Sequence, residues 1–414
     1  MRKVLWSAYL GNFFEHYDSA LFAFLAPFLA PLFFPNQDSL TALILTYAII
    51  PLGMLARPIG SIVFGRIGDG QSREKALFLS MLGMSILSLG FAFCPTYEQV
   101  GFFAPVLWGV GRIIQNFLSS GETIGGAIYV LENCSEEKQD IQSGLFDAST
   151  IGGILLASSG VAFFTYFDAI ENGWRILYVF GSVTALFGSL LRRNISIRSF
   201  QKSPSNVGKV LWDQKRPLFF LILCSGFSYA SYSVALILLN GLIPLVSSFT
   251  KAQMVELNTT LLVLDFLTLP FFGWIASKVG REKLMTSAAF GVAIFGIPLF
   301  YMLEQASFLE IVGIRVCVVL FGVAFSAPFH SWAQKMVPPS DRYTIVSFGY
   351  AMGSQLLGGP TTAISLWLFQ QTGSASFAAW YWVFLSILSG MGILLTKEEP
   401  VVIIPNVTQK LDLG

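Results

Sequence analysis

Gly65-Arg66-Ile67-Gly68-Asp69-Gly70-Gln71-Ser72-Arg73-Glu74-Lys75 separates two long apolar runs, and a version of it occurs again. The second copy reads Gly273-Trp274-Ile275-Ala276-Ser277 and closes on Arg281-Glu282-Lys283. Each matched position lies 208 residues after its counterpart, in a chain of 414 residues. The offset is therefore half the chain, and both copies follow an even-numbered apolar run. Two halves of the same orientation are the pattern expected when a pair of helix bundles moves about a site between them.

Composition agrees. Hydrophobic residues make up 54% of the chain and charged residues 12%, with a mean hydropathy of +0.66. Soluble domains carry about 25% charged residues. The apolar runs are continuous rather than alternating, so the chain reads as a helical membrane protein and not a barrel. The net charge of +1 gives no reason to expect a nucleic-acid partner. Cys94, Cys134, Cys224 and Cys317 show no paired spacing and read as small buried hydrophobes. Arg2-Lys3 and the apolar run after them read as a retained first helix, because the run is too long for a signal peptide.

A span needs about 20 apolar residues. Candidate spans lie near 4–34, 40–65, 76–95, 100–132, 141–167, 174–192, 217–248, 255–277, 284–303, 308–334, 343–369 and 377–396, about twelve in all. Of the 25 Lys and Arg, twenty fall on the side of the N-terminus, two (Arg175 and Lys251) on the other, and three (Arg57, Arg112 and Arg315) within spans. That bias predicts both termini in the cytoplasm. The expected organisation is a six-helix bundle over 1–192, a basic cytoplasmic linker over 193–216, a second six-helix bundle over 217–396 and a tail over 397–414. The fold class is an all-α membrane protein of two pseudo-symmetric bundles.

Ionisable groups inside spans cost several kcal/mol, roughly 2.5–3.5 on insertion scales, and are usually functional. Gly11-Asn12-Phe13-Phe14-Glu15-His16-Tyr17-Asp18 places three of them in the first span. Glu15 and Asp18 stand three apart and share a helix face near the midplane. They read as proton-coupling groups with His16 as a relay, and Glu122 is a further candidate that otherwise serves as a structural partner of a basic group. Arg112 is suited to holding a carboxylate with two hydrogen bonds, or else it neutralises Glu122 or Glu15. Gln115, Tyr17, Tyr129, Arg315 and Tyr350 complete the substrate-binding candidates, with packing as the alternative for Arg315. Trp108, Tyr229 and Tyr232 are aromatic candidates for binding a quaternary ammonium. Asp147 reads as a helix-end charge and His330 as an interfacial histidine.

Gating candidates are Arg57, Gly65, Arg66, Asp69, Arg73, Lys75, Asp265 and Arg281. Gly65 permits close approach, and Asp69 is placed to cap a helix or take an arginine from the facing half. Charge pairs at such an interface give two discrete arrangements; the alternative is that they only orient the chain. Asp265 follows Arg57 by 208 residues, which places opposite charges at equivalent positions. No metal-ligand cluster, cofactor loop or catalytic triad stands out, so an enzyme is not expected.

The Gly65–Lys75 segment resembles the signature loop of the major facilitator superfamily. The first-span stretch followed by Pro27 and Pro31, with Arg57-Pro58-Ile59-Gly60, resembles that family's metabolite–proton symporter branch. Arg112-Ile113-Ile114-Gln115 with Gly121-Glu122, Trp174-Arg175, Arg342-Tyr343-Thr344 and Gly358-Gly359-Pro360 are similar to its later landmarks. The branch includes carriers of proline and glycine betaine, α-ketoglutarate, citrate and shikimate. The resemblance implies proton-coupled uptake of a small zwitterionic or anionic metabolite by a monomer in a bacterial inner membrane. The sequence departs from the family where Gly70 and Ser72 replace a usual Arg and Gly, where Ser277 replaces an acid, where Lys335 replaces a Glu and where His16 replaces a Trp. The short tail predicts no coiled-coil osmotic control. Alternatives are a proton-independent organic-anion uniporter or exchanger, and a membrane sensor that has lost transport.

Overall fold

A computed structural model describes residues 2–38, 55–193 and 206–396, with positions 41, 42, 45, 46, 49 and 53. The start of the second apolar run, most of the linker and the tail lie outside the described residues. Every described element is helical. In hydrocarbon each backbone N–H and C=O must be satisfied within the segment, and a helix does this alone.

The first half contains α1 (Arg2–Phe33), α2 (Ala56–Gly70), α3 (Arg73–Ala92), α4 (Phe103–Glu132), α5 (Gln139–Tyr166) and α6 (Ile170–Arg193). A short helix, Val207–Asp213, leads into the second half. There α7 runs as Lys215–Ser233, a π-helical turn Val234–Leu238 and Leu239–Val246. It is followed by α8 (Lys251–Val279), α9 (Arg281–Met302) and α10 (Phe308–Ser326, resumed at Phe329–Lys335). The last two are α11 (Arg342–Met352, a π-helical stretch Gly353–Gly358, then Thr361–Thr372) and α12 (Trp380–Thr396). Among the described residues nine helices are long and apolar enough to cross a membrane. Where the sequence predicts three more, the structure has α2, the polar α4 and the interrupted α11.

The repeated motif makes two tight corners. Between α2 and α3 the hydroxyl of Ser72 caps α3 by accepting the Lys75 N–H at 3.1 Å. Between α8 and α9 the corner is Gly280 at φ +95°, a conformation that favours glycine. Within the first half α1 packs on α5 and α6, and α3 on α4 and α6. Within the second, α9 packs on α10 and α12, and α7 on α11 and α12.

The halves meet along α2–α11 and α5–α8. Both contacts use the first glycine of a motif copy. A Cβ on Gly65 would sit 2.5 Å from the Thr344 Cα, and one on Gly273 would sit 2.5 Å from the Asp140 carbonyl oxygen. Neither approach tolerates a side chain.

Two sequence expectations change here. Trp108 is buried in an aromatic cluster, stacked on Phe91 at 4.5 Å, and forms core rather than pocket. Cys94 and Cys224 are buried as expected, whereas Cys134 is half-buried and Cys317, on α10, is exposed.

Candidate functional site: a charged cavity between the halves

A cavity of about 380 Å³ lies between the two halves. The first half presents His16 and Ser19 from α1, Arg57 from α2, Arg112 and Asn116 from α4, and Asp147 and Thr150 from α5. The second half presents Tyr229 and Tyr232 from α7, Asp265 from α8, Ser326 from α10 and Tyr350 from α11. Ala235 and Leu236 of one π-helical stretch, and Gln355 of the other, also line it. Such stretches commonly mark functional sites because they break helical register where a wall must be reshaped.

The Gly11–Asp18 stretch divides by direction. Glu15 is buried, and its carboxylate takes the His16 ring at 2.6 Å and the Ser19 hydroxyl at 2.8 Å. The His16 side chain is 15% exposed and lines the cavity, so it stands between the cavity and Glu15. Asp18 does not line the cavity. It accepts the Ser88 hydroxyl and the Gln115 amide, each at 2.5 Å, inside the first bundle. The shared face expected for Glu15 and Asp18 is thus split, because Ser88 and Gln115 draw Asp18 towards α3 and α4. Asn12 ties α1 to α5 through the Phe146 carbonyl at 3.0 Å and the Ser149 and Thr150 hydroxyls at 2.8 Å each.

Arg112 reaches the cavity while its guanidinium donates to Gln115 and, at 3.3 Å, to the Ser19 carbonyl. It neutralises neither Glu122 nor Glu15 by direct contact. Gln115 therefore joins Arg112 to Asp18 and is not itself a cavity residue. Arg57 donates to Asn116 at 3.1 Å and also lines the cavity.

Glu122 lies elsewhere. It makes a two-bonded pair with Arg192 at 2.5 and 2.6 Å, and both side chains are fully buried. Arg192 also donates to the Ser7 carbonyl at 2.9 Å, so the pair pins α1, α4 and α6 together. Gly11 makes room for it, since a Cβ there would fall 1.9 Å from the guanidinium. Arg192 counts as a side-orienting charge in the sequence; the structure gives it this buried structural role.

Of the remaining binding candidates, Tyr350 lines the cavity. Tyr17 donates to the Leu177 carbonyl at 3.0 Å within the first bundle, and Tyr129 is buried away from the cavity. Arg315 donates to Asn240, Asn258 and the Ala235 carbonyl, each at 2.8 Å, which knits α7, α8 and α10 together. The packing alternative for Arg315 describes what is seen. Asp147 corrects the sequence reading: it stands two turns inside α5, lines the cavity, and takes His330 of α10 at 2.8 Å. His330 is accordingly a contact between halves.

The end of the bundle that carries the linker is closed. Asp69 accepts the backbone N–H groups of Tyr343 at 3.1 Å and Thr344 at 2.8 Å, and so caps α11 from the other half. Arg73 holds Asp69 and reaches the Gly68 carbonyl at 2.8 Å, the Pro339 carbonyl at 2.9 Å and Glu132 at 3.2 Å. Arg342 meets Glu132 at 2.9 Å, and the Tyr343 hydroxyl donates to the Gly121 carbonyl. In the second copy Arg281 meets Asp140 at 3.1 Å and the Ser331 carbonyl at 2.8 Å, while the Ser331 hydroxyl donates to Asp140. Among the described residues Ser277, at the position where the first copy has Asp69, bonds only the Trp274 carbonyl of its own helix, at 2.7 Å. Arg66 is half-buried at the end of α2, and Lys75 is exposed. Asp265 is a wall residue of the cavity rather than part of this closure. Glu132, Asp140 and Asn116 escape sequence reasoning; only the adjacency of Asn116 to Gln115 hinted at it.

Residues 8–359 match the family model described as Major Facilitator Superfamily. A Staphylococcus aureus (strain COL) protein named "Putative proline/betaine transporter" is 26% identical over 94% of this chain and 86% of its own length. The alpha-ketoglutarate permease of Escherichia coli (strain K12) is 28% identical over 96% of this chain and 95% of its own. Among solved structures, the proton:xylose symporter XylE bound to 6-bromo-6-deoxy-D-glucose superposes with a TM-score of 0.75 at 17% identity. That match covers 96% of this chain and 95% of the other, and at such identity it is a likeness of fold.

Proposed function

The chain belongs to the Major Facilitator Superfamily, and on that premise we propose that it takes up a small zwitterionic or anionic metabolite together with protons, by alternating access. It is a multi-pass membrane transporter and not an enzyme. The positive-inside bias supports an orientation with both termini and the linker end in the cytoplasm of a bacterial inner membrane. In that orientation the closed linker end makes this an outward-facing arrangement.

The observation that carries the reading is His16, set in the cavity wall with Arg57 and Arg112 and paired with the buried Glu15 behind it. A proton arriving from outside meets His16 first and neutralises the pair with Glu15. The substrate carboxylate docks on Arg112, and the Gln115 bridge passes that docking on to Asp18. With charges matched inside the cavity, the linker-end contacts release and the halves rock. The relatives named for proline/betaine and for α-ketoglutarate support a carboxylate-bearing substrate.

Uptake by proteoliposomes tests this. Uptake of the substrate accelerates when the outside is acidified, and Glu15→Gln, which removes the carboxylate paired with His16, abolishes the acceleration. Uptake indifferent to an imposed pH gradient would refute proton coupling. Proton-independent exchange is the second reading, favoured because Glu122 is locked to Arg192. Counterflow that persists with no pH dependence would select it.

A further inference from the structure

We propose that Asp265 determines the substrate class, by holding the cationic end of a zwitterion whose carboxylate sits at Arg57 and Arg112. This rests on the transport reading above and narrows it from zwitterion or anion to zwitterion.

Asp265 stands near the middle of α8, is 8% exposed and lines the cavity. Among the described residues its carboxylate accepts no hydrogen bond and joins no ion pair. Its charged neighbour is another acid, Asp147, which is already engaged by His330 at 2.8 Å. A buried carboxylate with neither partner nor donor is costly, and such groups are retained where something outside the chain completes them. The opposite wall has the converse arrangement. Among the described residues Arg57 bonds the amide oxygen of Asn116 and Arg112 bonds an amide and a carbonyl, and neither guanidinium forms an ion pair with a carboxylate.

Unpaired charges of opposite sign thus face one small cavity from different halves of the protein. A molecule with a carboxylate at one end and an ammonium at the other satisfies both walls. A dicarboxylate of the same size satisfies the arginines but brings its second charge against Asp265 and Asp147. Tyr232, which neighbours Asp265, and Tyr229, with its ring centroid 6.4 Å away, line the cavity and offer aromatic faces to a cation. Because the two wall charges belong to different halves, a bound zwitterion also links them.

The test compares glycine betaine with its carbon isostere 3,3-dimethylbutyrate, which keeps the carboxylate and shape but lacks the positive charge. Binding to purified protein is followed by thermal shift and by counterflow in proteoliposomes. The full chain is expected to prefer glycine betaine at least tenfold, and Asp265→Asn to lose that preference while still binding the isostere, which shows that the variant is folded. Asp265→Glu is expected to keep the preference. An Asp265→Asn protein that still prefers glycine betaine tenfold overturns the inference. So does a parent protein that binds both alike, or one that carries α-ketoglutarate and no zwitterion, although that last result leaves the transport function standing. A parent that moves none of these compounds, nor proline, overturns both.

Discussion

Glu122 and Arg192 are 70 positions apart and fully buried against each other. Removing one member of such a pair leaves an uncompensated charge and costs about 3–5 kcal/mol, whereas replacing both with apolar groups of similar volume is often neutral. Glu122→Gln is therefore expected to lower the melting temperature in detergent sharply, and Glu122→Leu with Arg192→Met to recover most of the loss. Equal destabilisation by the single and the double variants would show that the pair is not the cause. This pair also marks how far single residues were legible. Burial cost alone singled out Glu15, Asp18, Arg112 and Glu122, because an ionisable group inside an apolar run stands out without knowledge of its neighbours. Their partners did not stand out, since Ser88 reaches Asp18 and Arg192 reaches Glu122 each across 70 positions, by way of helix packing. Asp147 was misread for the same reason: its distance from a helix end was visible only once α5 was seen to begin at Gln139.

Among the elements, α11 depends on another half for its first turn. The first N–H groups of a helix lack partners of their own, and here Asp69 supplies them from the end of α2. Asp69→Ala is expected to loosen the closed linker end. A cysteine placed at Thr123 in the cavity wall would then react several times faster with a membrane-impermeant thiol reagent added from the linker side. Ser277→Ala, at the equivalent position of the second copy, should leave that rate unchanged, because among the described residues Ser277 bonds only its own helix. A similar increase in both variants would mean that the two copies act alike. Helix positions themselves were readable to within a few residues from unbroken apolarity. The interruptions were less so: the π-helical stretch Val234–Leu238 is apolar throughout, and the polar Gly353-Ser354-Gln355 that opens the other does not by itself announce a change of register.

At the scale of the whole molecule, the offset of 208 residues foretold two like halves, and the structure places both motif arginines at contacts between them. Which helices meet was beyond the sequence, because Gly65 and Gly273 signal close approach without naming Thr344 or Asp140 as the neighbour. The two contact lines are unequal. On the α2–α11 side Asp69, Arg73, Tyr343 and Arg342 all bridge the halves. On the α5–α8 side the polar bridges among the described residues run from Asp140 and Asp147 of α5 to Arg281 of α9 and to His330 and Ser331 of α10. Under alternating access, spin labels across α5 and α8 at the linker end are expected to separate further than labels across α2 and α11, and equal separations would contradict this.

If the halves rock, unequal polar fastening would make the protein a door hung on one jamb rather than a symmetric rocker. The α2–α11 edge, with more of the polar bridges, would then be the hinge, and the edge where Ser277 supplies no charge the side that swings. Cargo would then leave along a slit beside α5 and α8, so a bulky adduct there should obstruct release while the same adduct at the hinge edge lets it pass.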